Sequence, residues 1–257
     1  YYGNFYEAIY YINSNWGSIE NNNISITNSY QANIRLHNSN NVTIKNNRIF
    51  NSGIYYYPIY LSNSNNNSLI NNYINVSGIG GYAIYLTNSK NNSFIGNNVT
   101  TNTVIGFYLS DDAFLYNNTI NTNSLAISGS VFNSIIDASN THQSAPILYY
   151  FNNNSLLLNN LVNVGEIILA NSSNITLTNI TFDKGGLYLS DVNQVKIMNN
   201  SFSNFGIGMS FSNVNNSLLQ NNLINSSGGI LISTQNTNIS NNTFWVGSSF
   251  TNTNSDN

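Results

Sequence analysis

Hydrophobic and polar residues alternate along this chain in runs of four or five residues, and similar runs return every 20 to 26 residues. In one repeat, Leu69, Asn71 and Ile74 are expected to point inward from the first strand, and Ile84 and Leu86 from the second. Alternation over so few residues predicts β-strands rather than helices. A pattern that returns at a nearly constant spacing predicts a solenoid with one coil per repeat. We therefore predict two short strands in each coil, joined by polar turns.

A column of asparagines runs through the repeats, with an aspartate in its sixth place. Its members are Asn21, Asn46, Asn71, Asn97, Asn117, Asp137, Asn159, Asn179, Asn199, Asn221 and Asn241. An Ile or a Leu stands two residues before every member, and we expect both columns to point into the coil. Equivalent residues of stacked parallel coils lie about 4.8 Å apart, so buried amides could hydrogen-bond to their neighbours. Asp137 is expected to occupy the same kind of inward bend and to take no part in chemistry.

These columns predict an all-β, parallel β-solenoid of about 11 rungs with an internal Asn ladder. The repeats run from about residue 8 to residue 246, within a single domain of residues 1–257 that ends in a polar tail, 247–257. The sequence contains no Asn-Gly or Asp-Gly dipeptide, which is the strongest short signal for a β-hairpin. This supports stacked parallel coils over an antiparallel fold.

Composition narrows the function classes. Only 6% of the residues are charged, and 59 of the 257 are asparagine, but 41% are hydrophobic and 13% aromatic, which argues against disorder. The six basic residues are scattered and the net charge is −3, so we expect no nucleic-acid partner.

Without cysteine there are no disulfides and no thiolate metal sites. No apolar run is long enough to span a membrane. Because the chain begins with Tyr1 and has no signal peptide, we expect a processed protein or a fragment.

The repeated pattern of Leu or Ile, any residue, two asparagines, any residue and Ile resembles the right-handed parallel β-helix family. It is seen in Leu69–Ile74 and in Leu219–Ile224, and the resemblance covers residues 8 to about 246. The similar proteins are the NosD-like and pectate-lyase-like β-helices. The resemblance implies a right-handed, single-stranded β-helix. It leaves several activities open: polysaccharide lyases and hydrolases, phage tailspikes, adhesins, surface-layer components and copper-insertion accessory proteins.

Catalytic candidates are few. Lyases of the resembled family use acidic calcium ligands with a basic residue, and its hydrolases use clustered aspartates. Asp111 and Asp112 are the only adjacent pair of acids, so they are the weak alternative to our assignment of no catalytic residue. We expect Asp111 to replace an asparagine in a second polar column, with Asp112 solvated beside it. The Gly-His-Gly and Arg-x-Lys patterns of pectin hydrolases do not occur, and we favour a protein that is not an enzyme.

Copper is the other chemistry that the resemblance suggests. Copper(I) prefers clusters of Met, Cys or His. The chain offers only His37, His142, Met198 and Met209, which are scattered as single residues. We therefore assign no metal site and expect no cofactor.

A row of aromatic residues on the outer face of the second strand is the candidate binding surface. It comprises Tyr10, Tyr60, Tyr85, Tyr108 and Tyr188, and the run Tyr55, Tyr56 and Tyr57 would widen it. Exposed aromatic rings in register on a rigid face suit sugar stacking or protein contact. The structural alternative is that strands favour tyrosine and that a loop covers the rings.

Sixteen Asn-x-Ser/Thr sequons occur in the chain. One set recurs at the turn before the ladder, and we predict it to be exposed and glycosylated: Asn41, Asn66, Asn91, Asn153, Asn174 and Asn215. Four others are ladder members, which we expect to face inward and to carry no glycan: Asn117, Asn179, Asn199 and Asn241.

Together these features favour a non-enzymatic structural protein of the cell surface. It would be an N-glycosylated β-solenoid subunit of a filament, surface layer or adhesin, and would form a homo-oligomer or polymer by end-to-end or lateral contact. The repeat already runs at Ala8 without a capping helix, which motivates end-to-end contact. The alternatives are a polysaccharide lyase or hydrolase with Asp111 and Asp112 in its groove, and a carbohydrate-binding module that uses Tyr60, Tyr85 and Tyr108.

Overall fold

The computed structural model describes residues 7–27, 32–53, 57–78, 81–102, 105–205, 208–226, 230–246 and 250–254. Its elements are 31 β-strands, and the described residues contain no helix. The chain divides into two compact units. Unit 1 comprises residues 1–122 and 126–140, and unit 2 comprises residues 123–125 and 141–257.

Unit 1 is a stack of coils with three strands each, where the sequence had suggested two. Its strands are β1 Ile9–Ile12, β2 Ser18–Glu20, β3 Asn23–Ile26, β4 Ile34–His37, β5 Thr43–Lys45, β6 Arg48–Asn51, β7 Ile59–Ser62, β8 Ser68–Ile70, β9 Tyr73–Val76, β10 Tyr82–Thr87, β11 Ser93–Ile95, β12 Asn98–Thr101, β13 Ile105–Leu109, β14 Phe114–Tyr116, β15 Thr119–Asn121, β16 Ile127–Gly129 and β17 Ile135–Ile136. The third strand was missed because it is only three or four residues long and follows the Asn-Asn corner directly.

The strands of unit 1 form three parallel sheets, one for each side of the coil. The first sheet has the order β1-β4-β7-β10-β13-β16, the second contains β2, β5, β8, β11, β14 and β17, and the third contains β3, β6, β9, β12 and β15. Equivalent residues pair from coil to coil, so that Ile34 lies between Ile9 and Ile59. These pairs confirm the parallel β-solenoid that the repeats predict.

Unit 2 repeats the same architecture with longer strands. They are β18 Thr141–His142, β19 Ala145–Phe151, β20 Asn154–Asn159, β21 Glu166–Thr178, β22 Thr181–Phe182, β23 Leu187–Met198, β24 Ser201–Phe205, β25 Met209–Asn215, β26 Leu218–Gln220, β27 Leu223–Ser226, β28 Ile230–Gln235, β29 Asn238–Ser240, β30 Thr243–Val246 and β31 Phe250–Asn254. The pair β18–β19 is antiparallel, and β31 pairs in parallel with β28. Part of the predicted polar tail is therefore a strand of the sheet.

Apolar side chains fill the interior of each unit. Ile44, Leu69 and Leu115 are fully buried in unit 1, and Phe182 stacks on Phe202 in unit 2 with ring centroids 4.3 Å apart. Three members of the Ile and Leu column that was predicted to point inward instead face outward. Ile135 and Leu157 are 61% and 63% exposed, and Ile95 is half-buried, whereas the neighbours Phe94, Ile136 and Leu158 are buried. Because successive side chains of a strand face opposite sides, a slip of one residue reverses the facing.

The inward position predicted for the asparagine column is wrong for ten of its eleven members. Exposed side chains are found at Asn21, Asn46, Asn71, Asn117, Asp137, Asn159, Asn179, Asn199, Asn221 and Asn241, and only Asn97 is buried. Eight of the exposed residues have φ between 52° and 60°. Asparagine adopts this left-handed conformation more readily than most residues, and the bend turns its side chain to solvent. Asp137 instead accepts a hydrogen bond from the Ser139 main-chain N–H at 2.8 Å, and hydrogen bonds from Ser139 lower the pKa of its carboxyl.

The buried asparagine ladder lies one residue later in most coils. In unit 1 its members are Asn22, Asn47, Asn72, Asn97, Asn118 and Asn140, and each Nδ2 donates to the Oδ1 of the next member at 2.7–3.0 Å. In unit 2, Asn200, Asn222 and Asn242 form the same chain of hydrogen bonds. The second Nδ2 proton of Asn72 is directed to the Ile44 carbonyl at 2.8 Å, which satisfies both donors of the buried amide.

Candidate functional site: a tyrosine surface

The outer face of the first sheet of unit 1 carries a row of four tyrosines and one arginine. Tyr10, Arg35, Tyr60, Tyr85 and Tyr108 are paired in register on five successive strands. Their sequence neighbours, such as Leu36 and Leu86, point into the core. The alternation of the strand therefore holds the five side chains on the outer face.

Two further tyrosines complete a packed cluster, which we call the tyrosine surface: Tyr57, Tyr60, Tyr82, Tyr85 and Tyr108. The Tyr57 ring stacks on Tyr85, with centroids 4.1 Å apart and planes at 18°. Tyr82 stacks on the same ring at 5.1 Å and tilts against Tyr108 at 4.7 Å. All five residues are half-buried, so each ring is fixed by its neighbours and still reaches solvent.

Arg35 extends the tyrosine surface toward Tyr10. Its guanidinium carbon lies 5.3 Å from the centroid of the Tyr10 ring and 5.1 Å from that of Tyr60. These distances are within the range of a cation–π interaction. Its Nη1 also donates to the Glu7 carboxylate at 3.1 Å, and the Glu7 side chain is only 5% exposed. The positive charge of Arg35 is thus balanced within the protein.

The environment of the cluster raises the pKa of three of its phenols. Burial, with further contributions from Tyr108, Tyr57 and Tyr85, raises the pKa of Tyr82 from 10.0 to about 12. Burial and neighbouring tyrosines also raise the pKa of Tyr57 and of Tyr85. Near neutral pH the surface therefore presents hydroxyl groups that both donate and accept hydrogen bonds. One of them, Tyr60, lies 3.3 Å from the Thr87 hydroxyl.

The predicted aromatic row and the observed cluster overlap in part. Tyr60, Tyr85 and Tyr108 belong to the cluster, and Tyr10 is 43% exposed beyond Arg35. Tyr188 was expected to lie on an exposed face, but it is only 7% exposed, and Ile168, its partner on the adjacent strand, is fully buried. Tyr55 and Tyr56 lie outside the described residues.

Sequence reasoning missed Tyr82 although the sequence contained a signal for it. Tyr57 stands three residues before Tyr60, and Tyr82 stands three residues before Tyr85. This Tyr-x-x-Tyr pair recurs after 25 residues, which is one coil of this part of the chain. The strand partners Tyr60 and Tyr85 thus bring both pairs together.

Asp111 and Asp112, the weak catalytic candidates, have different contacts in the structure. The Asp111 carboxylate lies 3.2 Å from Lys90 Nζ and accepts a hydrogen bond from the Ser130 hydroxyl. Asp112 has a left-handed φ of 61°, and its main-chain N–H donates to the Phe132 carbonyl at 2.9 Å. Asp111 is thus held by side chains of the neighbouring coils, and Asp112 by its main chain at a left-handed bend.

Comparison with known proteins identifies the family. The model of the family described as "Periplasmic copper-binding protein (NosD)" matches residues 2–145, more than half of the 257 residues. The chain belongs to the NosD family. Its parallel β-solenoid agrees with the β-helix resemblance of the repeats.

The other comparisons add little to this assignment. A search of curated proteins finds no match to this NosD-family chain. Among solved structures, HetL, a pentapeptide repeat protein of the cyanobacterium Nostoc sp. strain PCC 7120 involved in heterocyst differentiation regulation, is similar at 14% identity. The match covers 90% of this chain and 85% of HetL with a TM-score of 0.21, which is too low to carry an argument. None of the described residues forms a helix with the length and apolarity needed to cross a membrane.

The four side chains considered for copper are held by different parts of this NosD-family fold. His37 Nδ1 lies 2.8 Å from the Ser62 hydroxyl on the neighbouring strand. His142 is fully buried, with Nδ1 2.9 Å from the Gly165 carbonyl and 3.9 Å from the Glu166 carboxylate. Met209 is fully buried, and Met198 is half-buried at the end of β23. The described residues contain no group of three His, Cys, Asp or Glu side chains that could hold a metal ion.

The sequons fall into two structural groups. Asn41, Asn66, Asn91 and Asn174 have φ between 53° and 57° at turns, and all but the half-buried Asn41 are exposed. Asn153 and Asn215 are half-buried and donate hydrogen bonds to the Phe151 carbonyl and to Asn213, respectively. The expectation that ladder sequons face inward is wrong, since Asn117, Asn179, Asn199 and Asn241 are exposed.

Proposed function

We propose that this NosD-family chain is a non-enzymatic β-solenoid that acts outside the cytoplasm and binds glycan chains through its tyrosine surface. The observation that carries the proposal is the packing of Tyr57, Tyr82 and Tyr108 against Tyr85, at centroid distances of 4.1–5.1 Å on the outside of a regular sheet. A tyrosine ring offers an apolar face to the C–H groups of a sugar and a hydroxyl to its O–H groups.

Rigidity favours such a surface as a binding site. Each of the central rings contacts several others, and the strands that carry them pair in register. Side chains that are already ordered lose little conformational entropy when a ligand binds. The half-exposed edges of the rings are therefore available at low entropic cost.

Copper binding is the function that the family description suggests, but the described residues do not fit it. Copper(I) needs several soft or imidazole ligands around one point. The chain has no cysteine and only two histidines, and the described residues contain no group of three His, Cys, Asp or Glu side chains that could hold a metal ion. We therefore derive no step through copper in this chain.

The structural role at the cell surface is part of the same proposal. A periplasmic family and exposed sequons support a place outside the cytoplasm. A subunit of a filament, surface layer or adhesin that self-associates would display the tyrosine surface many times and gain avidity. Electron microscopy of native material tests the assembly, and dispersed monomers would contradict it. Glycopeptide mass spectrometry of Asn66 and Asn91 tests the glycosylation.

A glycan array tests the binding function. The wild-type protein is expected to bind at least one class of oligosaccharide, and the variant Tyr60→Ala/Tyr85→Ala/Tyr108→Ala is expected to lose that binding. Tyr116 is the matched control, because it is 48% exposed on the second sheet and lies outside the tyrosine surface. If no glycan binds, or if Tyr116→Ala weakens binding as much as the triple variant, the proposal is wrong.

A further inference from the structure

Unit 2 carries an open polar groove that is built from residues other than the tyrosine surface. It has two adjoining parts, of about 490 Å³ and about 300 Å³, which share Asn216 and Asn236. Asp191 and Asn215 line one part, and Lys196 lines the other. No residue singled out for chemistry from the sequence lies here except the sequon asparagines Asn174 and Asn215.

The groove follows from two left-handed bends in each coil. Asp191 and Gln194 have φ of 54° and 57°, and Asn213 and Asn216 have φ of 54° and 50° in the next coil. Between each pair of bends a valine points inward, and both valines, Val192 and Val214, are buried. The residue after each valine, Asn193 or Asn215, therefore faces the groove. Stacking of these corners places rows of amide side chains side by side.

Hydrogen bonds between coils fix these side chains. Asn213 Nδ2 donates to Asp191 Oδ1 at 2.5 Å, and Asn216 Nδ2 donates to Asn193 Oδ1 at 2.9 Å. Asn236 Nδ2 donates to Asn216 Oδ1 at 3.2 Å. The groove wall is thus an ordered array in which donors and acceptors alternate over a few ångströms.

One acceptor in this array has no donor. Asn215 Oδ1 is buried and makes no hydrogen bond within the described structure, while its Nδ2 donates to Asn213 Oδ1 at 3.3 Å. A buried acceptor without a hydrogen bond destabilises the ligand-free protein. Asn215 itself is half-buried at the groove wall, and a ligand hydroxyl that donates to Oδ1 once the amide turns toward the groove would remove this penalty.

We propose that the groove is a second ligand site, and that it binds a neutral oligosaccharide through its hydroxyl groups. A hydroxyl both donates and accepts, so it matches a wall that mixes amide N–H groups, amide oxygens and one carboxylate. Asp191 accepts from Asn213 and from the Ser190 hydroxyl at 3.0 Å, and a carboxylate can accept further bonds. Lys196 supplies an ammonium donor at the other part of the groove.

A divalent cation fits this groove less well than a sugar does. Calcium requires six to eight oxygen ligands. Here the N–H groups of Asn213 and Asn216 project among the oxygens, and Lys196 adds a positive charge. Asp191 is the single carboxylate among the lining residues of both parts. A sugar is therefore the ligand class that uses both kinds of group.

The groove is tested by calorimetric titration with hexasaccharides of glucose, mannose and N-acetylglucosamine. The protein is produced in a host without N-glycosylation, because Asn174 and Asn215 lie in sequons. It carries Tyr60→Ala/Tyr85→Ala/Tyr108→Ala, the triple variant expected to lose binding at the tyrosine surface, so that residual binding reports on the groove. Adding Asn215→Ala is expected to weaken the binding of one hexasaccharide about tenfold. Asp191→Asn, which keeps a residue that tolerates the left-handed bend, is expected to weaken it less.

Thr181→Ala, at an exposed position on β22, is the matched control and should leave binding unchanged. Circular dichroism confirms that each variant is folded. Two results overturn the groove and leave the tyrosine surface standing: no hexasaccharide binds the tyrosine triple variant, or Asn215→Ala has no effect. Saturable calcium binding that Asp191→Asn abolishes would reassign the groove to a cation. On the glycan array, loss of the best wild-type ligand in the tyrosine triple variant supports the tyrosine surface, and glycans that this variant still binds support the groove.

Discussion

Asn72 donates from Nδ2 to Asn97 Oδ1 at 3.0 Å, inside the coil and fully shielded from solvent. The same amide accepts at Oδ1 from the main-chain N–H and from the Nδ2 of Asn47, each at 3.0 Å. Every polar atom of the Asn72 side chain is thus used between three successive coils. The ladder holds the stack in register, and with it the strand positions from which Tyr60, Tyr85 and Tyr108 project.

Replacing Asn72 by alanine is expected to destabilise the protein by about 3–5 kcal/mol, since it leaves several buried partners without hydrogen bonds. The matched control is Asn71→Gly, because Asn71 is exposed with φ of 53° and glycine accepts that conformation. We expect a change below about 1 kcal/mol for the control. Urea unfolding followed by circular dichroism measures both. Equal effects of the two substitutions would mean that the buried residue has been misassigned.

The repeat was predictable from the sequence, but the register of the ladder was not. Most coils carry the doublet Asn-Asn at the corner, as at Asn71-Asn72, so spacing alone does not show which residue is buried. Two coils without this doublet show which residue of the corner is buried. At Gly96-Asn97 the glycine takes the left-handed bend with φ of 65°, and at Asn179-Ile180 the isoleucine is buried. In both coils the second residue of the pair is the one that points inward.

Only the part of the candidate site that strand pairing determines could be predicted from the sequence. The in-register row from Tyr60 to Tyr108 follows from the 25-residue repeat and its continuation. The position of Tyr82 beside Tyr85 does not, because the two residues are three apart in β10 and strict alternation would place them on opposite faces. The groove of unit 2 also escaped prediction, since its bends at Gln194 and Asn216 have no single residue type in common.

Gly185 tests the close approach of coils in unit 2. A Cβ at this position would overlap the Gly165 carbonyl and lie 2.6 Å from His142 Nδ1. Because the obstacle is main chain, Gly185→Ala is expected to cost about 2–3 kcal/mol or to prevent folding. Thr181→Ala, on an exposed position, should shift the unfolding midpoint little. An unchanged midpoint for Gly185→Ala would contradict the stacking of Gly165 on Gly185.

The tyrosine surface predicts a stability that falls at high pH. Tyr82 has a pKa of about 12 in the folded protein against 10.0 in the unfolded chain. Below pH 10 both states keep the proton. Between pH 10 and 12 the unfolded state loses it first, so the free energy of unfolding decreases as pH rises. Ultraviolet titration should show tyrosines that ionise late, and Tyr82→Phe should remove one of them. Tyr116→Phe is the control and should leave the late component in place.

The most direct test of the account is the dissociation constant of the best glycan from the array for three single variants. Removing the ring on which Tyr57 and Tyr82 stack, in Tyr85→Ala, is expected to weaken binding about tenfold. Tyr85→Phe keeps the ring and should retain most of the affinity, and Tyr116→Ala should bind as the wild type does. If Tyr85→Ala binds as tightly as the wild type, the tyrosine surface is not the glycan site.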